Sequence, residues 1–256
     1  MNYLDASILG IVEGLTEFLP ISSTGHMILA AELLRIPDSA FLKSFEIIIQ
    51  LGAILAVVVL YWRTLFTKWE TMKRIAVAFV PTGIIALLFY KHVKALLGPP
   101  SVVVASLFIG GIILILFEKW HTEPEEVNDD FSMMPYSTAV KIGLFQALSI
   151  IPGVSRSGAT IVGGMLLGMR REAIVEFSFL LAVPTMVVAT GYDLWKNASS
   201  FSLGDAHLLL VGFVVSFVVA LAAIRFLLAF VRSHSFASFG VYRIVVAVLF
   251  FLFVLR

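Results

Sequence analysis

The chain has 256 residues, of which 60% are hydrophobic and 14% charged, and its mean hydropathy is +1.01. Soluble domains average roughly 45–50% apolar and about 25% charged residues. Long apolar runs recur along this chain without the alternating pattern of barrel strands, so the sequence indicates an all-α polytopic membrane protein. A net charge of +1 gives no electrostatic basis for binding nucleic acid. Because the chain contains no cysteine, disulfides and thiolate metal sites are excluded.

The first half begins with a broken helix. Residues 3–19 are moderately apolar, Pro20 and a run of hydroxyl residues interrupt them, and a short second helix is predicted over 27–34. Neither piece reaches the roughly 20 apolar residues of a membrane span. We therefore predict a re-entrant helical hairpin that enters and leaves by the same face. Three transmembrane helices are predicted after it, over residues 41–62, 75–90 and 102–117.

The same order of segments restarts after a polar, acidic interval at 121–135. We interpret this interval as a linker between two repeats, residues 1–120 and residues 136–256, that form one membrane domain. In the second repeat, short helices over 136–151 and 157–169 are followed by spans over 174–195, 207–231 and 240–255.

Residue correspondences support the repeat. The segment Gly14–Glu17 (GLTE) matches Gly143–Gln146 (GLFQ), and Ser23–Gly25 matches Arg156–Gly158. Each half has three spans, an odd number, so the two halves must have opposite orientations in the membrane. Inverted-topology repeats with broken helices place a site near the midplane, at the interface between repeats.

The distribution of basic residues predicts the orientation, since cytoplasmic loops carry an excess of lysine and arginine. The larger basic set, assigned to the cytoplasm, comprises the 63–74 loop, Lys119, Lys141, Arg170, Arg171 and Arg232. The opposite face carries Arg35, Lys43, Lys91, Lys94, Lys196 and Arg256. Both termini then lie outside, and the first hairpin dips in from the outer side.

A first polar motif, EGLTEFLPISSTGH, lies in the first hairpin. Glu13 and Glu17 are four residues apart and share one helix face. Two carboxylates in an apolar medium repel unless a cation joins them, and oxygen ligands suit Mg²⁺ or Ca²⁺. The alternative is a helix that simply faces water, but intramembrane acids are usually functional.

The end of this motif carries hydroxyls followed by an imidazole. Ser22, Ser23 and Thr24 precede a short helix, where hydroxyls and free amides bind anions. Ordinary N-capping would need only one of these hydroxyls. Ser23, three residues before His26, also suggests an activated nucleophile.

A second polar motif, PGVSRSGAT, lies in the second hairpin. Arg156 stands among the hydroxyls of Ser155, Ser157 and Thr160. A guanidinium in the membrane requires an anion, and phosphate is a natural bidentate partner. The alternative is a structural ion pair, for example with Glu17. Glu46 and Gln50, on the first full span, are weaker candidates for lining the same site.

These two motifs resemble those of the undecaprenyl pyrophosphate phosphatase family of the bacitracin-resistance type. FEIIIQLGAILAV and EFSFLLAVP are also similar to segments of that family, so the resemblance covers essentially the whole chain. It implies removal of the terminal phosphate of undecaprenyl pyrophosphate, which recycles the lipid carrier for peptidoglycan synthesis. It also implies a divalent cation and action at the outer face of the bacterial inner or plasma membrane.

Carried over by motif, the resemblance makes Glu13 and Glu17 the acidic, metal-binding pair. Ser23 and His26 become candidates for nucleophile and acid–base, and Arg156 the pyrophosphate clamp. Ser22, Thr24, Ser155, Ser157 and Thr160 would be supporting hydroxyls that bind the substrate. A homodimer is a further expectation.

Two other classes compete with this interpretation. A lipid-phosphate flippase or secondary transporter uses the same inverted repeats, and a fold alone does not fix function. A transporter, however, does not need a nucleophile, a base, a metal and an arginine together. A scaffold protein would leave buried Glu13, Glu17 and Arg156 without a purpose.

Overall fold

The computed structural model describes residues 1–96, 100–124, 130–196, 206–253 and 255. Within these residues the regular structure is entirely helical, with eleven α-helices and two short 3₁₀ helices, Phe131–Met133 and Leu148–Ile150. The α-helices are α1 (Tyr3–Thr16), α2 (Ser23–Leu33), α3 (Ala40–Leu60), α4 (Trp62–Thr67), α5 (Trp69–Leu96), α6 (Pro100–Trp120), α7 (Tyr136–Ala147), α8 (Arg156–Leu166), α9 (Arg171–Lys196), α10 (Ala206–Val231) and α11 (Ala237–Phe253).

Five helices of the described chain, α3, α5, α6, α9 and α10, are long and apolar enough to cross a membrane. The prediction of an all-α polytopic membrane protein is therefore confirmed. The sequence predicted six full spans, whereas α11 has 17 residues and is shorter than the other five. Pairs of shorter helices, α1 with α2 and α7 with α8, stand before the two sets of long helices.

Several helix ends differ from the predictions. The 63–74 interval, predicted to be a loop, is largely helical: it contains most of α4 and the start of α5, where Glu70 forms ion pairs with Lys73 and Arg74. α5 continues to Leu96, beyond the predicted end at residue 90. α2 begins at Ser23 instead of residue 27, because the Ser22 side chain caps it by accepting from the amide of Gly25.

Some predictions fall wholly or partly on residues outside the described ranges. These are the predicted turn at 196–206, of which residues 197–205 are not described, the part of the 91–100 turn at 97–99, Glu125, Glu126 and Asp129 of the linker, and Arg256.

Helix contacts bring the two halves together. α1 packs along α10, α7 packs along α5, and α6 packs along α11. At the α6–α11 crossing a Cβ added to Gly111 would lie 2.6 Å from the carbonyl oxygen of Gly240. A Cβ added to Gly240 would lie 2.7 Å from the carbonyl oxygen of Gly111. Both helices therefore need a glycine where their backbones meet.

The main core lies beside the breaks in the short helices. Phe18, Phe177, Phe179 and Phe236 are fully buried in one apolar cluster. The ring of Phe18 meets that of Phe179 edge-on, with ring centroids 5.4 Å apart. Because Phe18 directly follows Glu17 in the chain, this packing anchors the start of the first break.

We predict that Gly111→Ala destabilises the protein by about 1–3 kcal/mol, because the added methyl group overpacks the α6–α11 crossing. Thermal unfolding in detergent micelles measures the change. Gly191→Ala is the matched control, since a Cβ at this helical position meets no atom within 4 Å. Equal melting temperatures for the Gly111 variant and wild type would contradict the close approach of α6 and α11.

Candidate active site

A small polar cavity lies where the two interrupted segments meet. Its volume is about 100 Å³. Its walls come from the turn between α1 and α2, the turn between α7 and α8, and the long helices α3 and α9. The lining residues are Glu17, Ser22, Ser23, Thr24, Gln50, Ser149, Val154, Ser155, Arg156 and Met186.

Glu17 is the centre of the cluster. Its Oε2 accepts a hydrogen bond of 2.5 Å from the Ser23 hydroxyl, and its Oε1 lies 3.2 Å from Nη2 of Arg156. The carboxylate is buried, and Arg156 follows it by 139 residues in the chain. This contact joins the first polar motif to the second. The sequence had named the pair as an alternative to a phosphate clamp, and the geometry leaves room for both roles.

Two nitrogens of the Arg156 guanidinium are hydrogen-bonded, and the third is not, within the described part of the chain. Its Nη1 donates to the carbonyl of Ser178 at 2.9 Å, while its buried Nε has no hydrogen-bond partner among the described residues. The Ser178 hydroxyl is also buried, and it too has no hydrogen-bond partner among the described residues. Since buried donors are almost always paired, the guanidinium retains capacity for another acceptor.

The first turn places Ser23 at the cavity. Ser22 adopts a φ of 73°, a value unusual for a residue other than glycine, and caps α2. Ser23 is the first residue of α2, so its hydroxyl lies at the helix N-terminus, where anions are stabilised. Thr24 follows it in the cavity wall.

His26 is bonded away from this pair. Its Nδ1 lies 2.8 Å from the carbonyl oxygen of Ser22, and its Nε2 lies 2.9 Å from the hydroxyl of Tyr242. The hydroxyl of Ser23 instead donates to Glu17. In this geometry Glu17, and not His26, is the base in contact with Ser23.

The hydroxyls of the second turn mostly serve structure. Ser155 caps α8 and contacts the hydroxyl of Ser157, which donates to the carbonyl of Leu19 at 2.8 Å. Thr160 donates to the carbonyl of Arg156. Of these three predicted substrate contacts, only Ser155 lines the cavity. Ser157 and Thr160 are completely buried and tie the turn to its surroundings.

The remaining acidic candidates, Glu13 and Glu46, are not among the residues that line the cavity. Glu13, one turn before Glu17, is buried and is in electrostatic contact with Glu17, Glu46 and Arg156. Its Oε1 has no hydrogen-bond partner among the described residues. Gln50 lines the cavity on α3, whereas Glu46, one turn earlier, does not.

The donors at this place suit a hard cation only in part. No group of three or more histidine or acidic side chains that could hold a metal occurs in the described ranges. Mg²⁺, however, is commonly bound through one or two carboxylates together with substrate phosphates. The unpartnered oxygen of Glu13 beside Glu17 fits that smaller requirement.

Comparison with known proteins assigns the family. Residues 6–249 match the family model described as bacitracin resistance protein BacA. The chain belongs to the bacitracin-resistance family. Curated relatives named undecaprenyl-diphosphatase include one from Sulfurihydrogenibium sp. (strain YO3AOP1), 54% identical over 98% of this chain and 99% of its own. Others come from Aquifex aeolicus, with 52% identity over 99% of this chain and 100% of its own, and from Wolinella succinogenes, with 51% over 98% and 97%.

Sequence reasoning on this member of the bacitracin-resistance family did not connect α11 with the two broken turns, and it did not name the cavity residues Ser149, Val154 and Met186. Arg243 of α11 is buried and donates to four backbone carbonyls, those of Pro20, Ser106, Leu107 and Gly153. It therefore ties both broken turns to α6. A charge in an otherwise apolar helix was the available signal.

We predict that Arg243→Lys lowers the free energy of unfolding by roughly 2–4 kcal/mol. An ammonium group cannot reach four carbonyls at once, and buried groups left unpaired cost about 1–3 kcal/mol each. Thermal unfolding in detergent gives the change, and Arg225→Lys at an exposed position of α10 is the control. If both variants melt like the wild type, the four contacts of Arg243 do not hold the turns.

Proposed function

We propose that the protein is an undecaprenyl-diphosphate phosphatase, which hydrolyses undecaprenyl pyrophosphate to undecaprenyl phosphate and inorganic phosphate. The observation that carries this proposal is the meeting of Ser23, Glu17 and Arg156 in one buried cavity. Full-length relatives named undecaprenyl-diphosphatase support the substrate. The product is the lipid carrier phosphate, so the activity recycles the carrier for peptidoglycan synthesis and confers bacitracin resistance.

The geometry favours a serine route. Ser23 Oγ attacks the terminal phosphorus while its proton passes to Glu17, only 2.5 Å away. The bond between that phosphorus and the bridging oxygen breaks, and undecaprenyl phosphate leaves. Water then attacks the phosphoserine and gives inorganic phosphate and free Ser23. Direct attack by water, or by His26, is the competing route, and the bonding of His26 to Ser22 and Tyr242 disfavours the latter.

Arg156 acts by charge. Phosphoryl transfer depends mainly on positioning and on neutralising the transferring group. The Nε of the Arg156 guanidinium has no hydrogen-bond partner among the residues that the structure describes, and the N-termini of α2 and α8 both lie at the cavity. These groups bind the pyrophosphate oxygens and stabilise the charge that develops on them.

A divalent cation, Mg²⁺ or Ca²⁺, belongs to the same proposal. Glu13 and Glu17 would hold it, with Gln50 and the cavity hydroxyls as further oxygen donors. When bound, it would neutralise phosphate charge and so lower the barrier to attack. Among the described residues, the orphaned oxygen of Glu13 is the support for this assignment.

The prenyl chain needs an apolar path. A cleft of about 440 Å³ lies between α5 and α7, and the described residues that line it are all apolar. Its walls are Val77, Val80, Pro81, Ile84, Ile85, Val140 and Leu144. Leu148 and Ile151, which follow Leu144 in the chain, have exposed side chains and flank Ser149 of the polar cavity. We propose this cleft as the binding surface for the chain.

The architecture we propose is two inverted repeats, residues 1–120 and 136–256, each a re-entrant hairpin followed by three transmembrane helices. Paired contacts support it: α1 packs on α10 as α7 packs on α5, and α6 crosses α11 through reciprocal glycines. Gly14 approaches the backbone of α10 at Ser216, and its counterpart Gly143 approaches α5 at Ala78.

The orientation remains our proposal as well: an inner or plasma membrane location, with the cavity open to the outer side. Ion pairs that join Arg171 to Glu118 and Arg232 to Glu172 gather basic positions assigned to the cytoplasm at one end of the bundle. The proposed homodimer rests on the expectation alone. A flippase or secondary transporter is the rival function, and release of phosphate in detergent separates the two, because no compartments exist there.

We predict that purified protein in detergent releases inorganic phosphate from a polyprenyl diphosphate, and that a chelator abolishes the release until Mg²⁺ or Ca²⁺ is restored. Arg156→Ala should reduce turnover by at least about a hundredfold, because one charged donor to the transition state typically contributes that much. Arg225→Ala serves as the control. Absence of phosphate release by the wild type would favour the transporter.

We also predict that Ser23→Ala reduces turnover by about a thousandfold or more, as expected for loss of an attacking group. Rapid acid quenching with labelled substrate should trap phosphate on the wild type and not on this variant. Ser238→Ala, at an exposed position of α11, is the control. Near-normal turnover of Ser23→Ala would exclude the serine route.

A further inference from the structure

Both ring nitrogens of His26 are bonded, and the partners define its tautomer. Nδ1 lies 2.8 Å from the carbonyl oxygen of Ser22, which can only accept, so Nδ1 carries the hydrogen. In the neutral imidazole Nε2 is then the acceptor. Its partner, 2.9 Å away, is the hydroxyl of Tyr242, which therefore donates. The two rings are nearly parallel, at an interplanar angle of 6°.

The carbonyl held by His26 belongs to a strained residue. Ser22 has a φ of 73°, which costs free energy in a residue with a side chain and persists only where the surroundings enforce it. Its carbonyl accepts both the backbone amide and Nδ1 of His26. Since Ser23 is the next residue, the conformation of Ser22 decides where the Ser23 hydroxyl points.

Tyr242 lies outside both polar motifs. It follows His26 by 216 residues, on α11, and it is not among the residues that line the cavity. Its neighbour Arg243 donates to the carbonyl of Pro20 at 3.2 Å. Consecutive residues of α11 thus hold the first turn at both ends, one through Pro20 and one through His26.

We propose that Tyr242 is a positioning residue: its hydroxyl holds His26 as the Nδ1–H tautomer, and His26 thereby fixes the Ser22–Ser23 turn against Glu17. In this proposal His26 stabilises the turn that carries the nucleophile Ser23. The proposal rests on the proposed function, because it assigns Tyr242 to the hydrolysis of the polyprenyl diphosphate.

The kinetic test is Tyr242→Phe, which removes only the hydroxyl. We expect kcat to fall by about five- to tenfold, the equivalent of one lost hydrogen bond, while KM changes by less than about twofold. Tyr3→Phe is the matched control, since Tyr3 is exposed at the start of α1. A rise in KM with kcat unchanged would assign Tyr242 to substrate binding and overturn the proposal.

A double variant tests whether Tyr242 acts through His26. In a His26→Ala background, Tyr242→Phe should cause no further loss, because residues in one chain of contacts are not additive. If it lowers kcat by the same factor as in the wild type, Tyr242 acts independently and the proposal is wrong.

A spectroscopic reading separates this proposal from the proposed function. In protein labelled with ¹⁵N-histidine, we expect His26 to show the Nδ1–H tautomer in the wild type, and its Nε2 resonance to shift in Tyr242→Phe. His26→Ala identifies the resonance. If the wild-type protein shows this signature but does not hydrolyse the diphosphate, the proposed phosphatase function is wrong and the assignment of the His26 tautomer still holds. An Nε2–H tautomer, or an unmoved resonance, would reject the role of Tyr242.

Discussion

The ion pair between Glu17 and Arg156 is the contact on which the arrangement depends. Two charges removed from water lose several kcal/mol of hydration each, and their mutual attraction compensates only when further hydrogen bonds complete them. Ser23 and the carbonyl of Ser178 supply part of that completion. Within the described ranges, Nε of Arg156 and Oε1 of Glu13 still have no hydrogen-bond partner. A buried charged cluster whose hydrogen bonds are incomplete is unfavourable by itself, and it is well suited to bind a charged ligand.

The charged cluster imposes a second requirement on the backbone. To place Ser23 and Arg156 at helix N-termini inside the bundle, the chain must break two helices, and the carbonyls freed at the breaks need hydrogen-bond partners. Side chains from other parts of the chain donate hydrogen bonds to these carbonyls. Ser157 bonds Leu19, and Arg243 bonds Pro20 and Gly153, so each turn is tied to its surroundings by a residue distant in sequence. The same hydrogen bonds therefore stabilise the helix breaks and fix the geometry of the site.

Much of this could be predicted from local pattern. The apolar runs predicted the long helices, because a span leaves a length signal in one segment of chain. The intramembrane charges of Glu17 and Arg156 marked the cavity, because their burial requires partners. The start of α2 at Ser23 was missed, since capping by Ser22 moves a helix end without changing the apolar pattern. The helical 63–74 interval was missed because its residues are too polar to produce an apolar run. The partner of His26 could not be predicted, because Tyr242 meets it only through the packing of α11.

The convergence of the two turns can be measured directly, because the chain has no natural cysteine. The Cβ of Pro20 lies 3.5 Å from the position that a Cβ on Gly158 would occupy, within the span of a disulfide. In membranes treated with a mild oxidant, the double variant Pro20→Cys, Gly158→Cys should form an intramolecular disulfide, detected as one cross-linked peptide pair by mass spectrometry. The two single variants should give none. If both thiols of the double variant stay free and reactive, the two turns do not meet and the shared site is wrong.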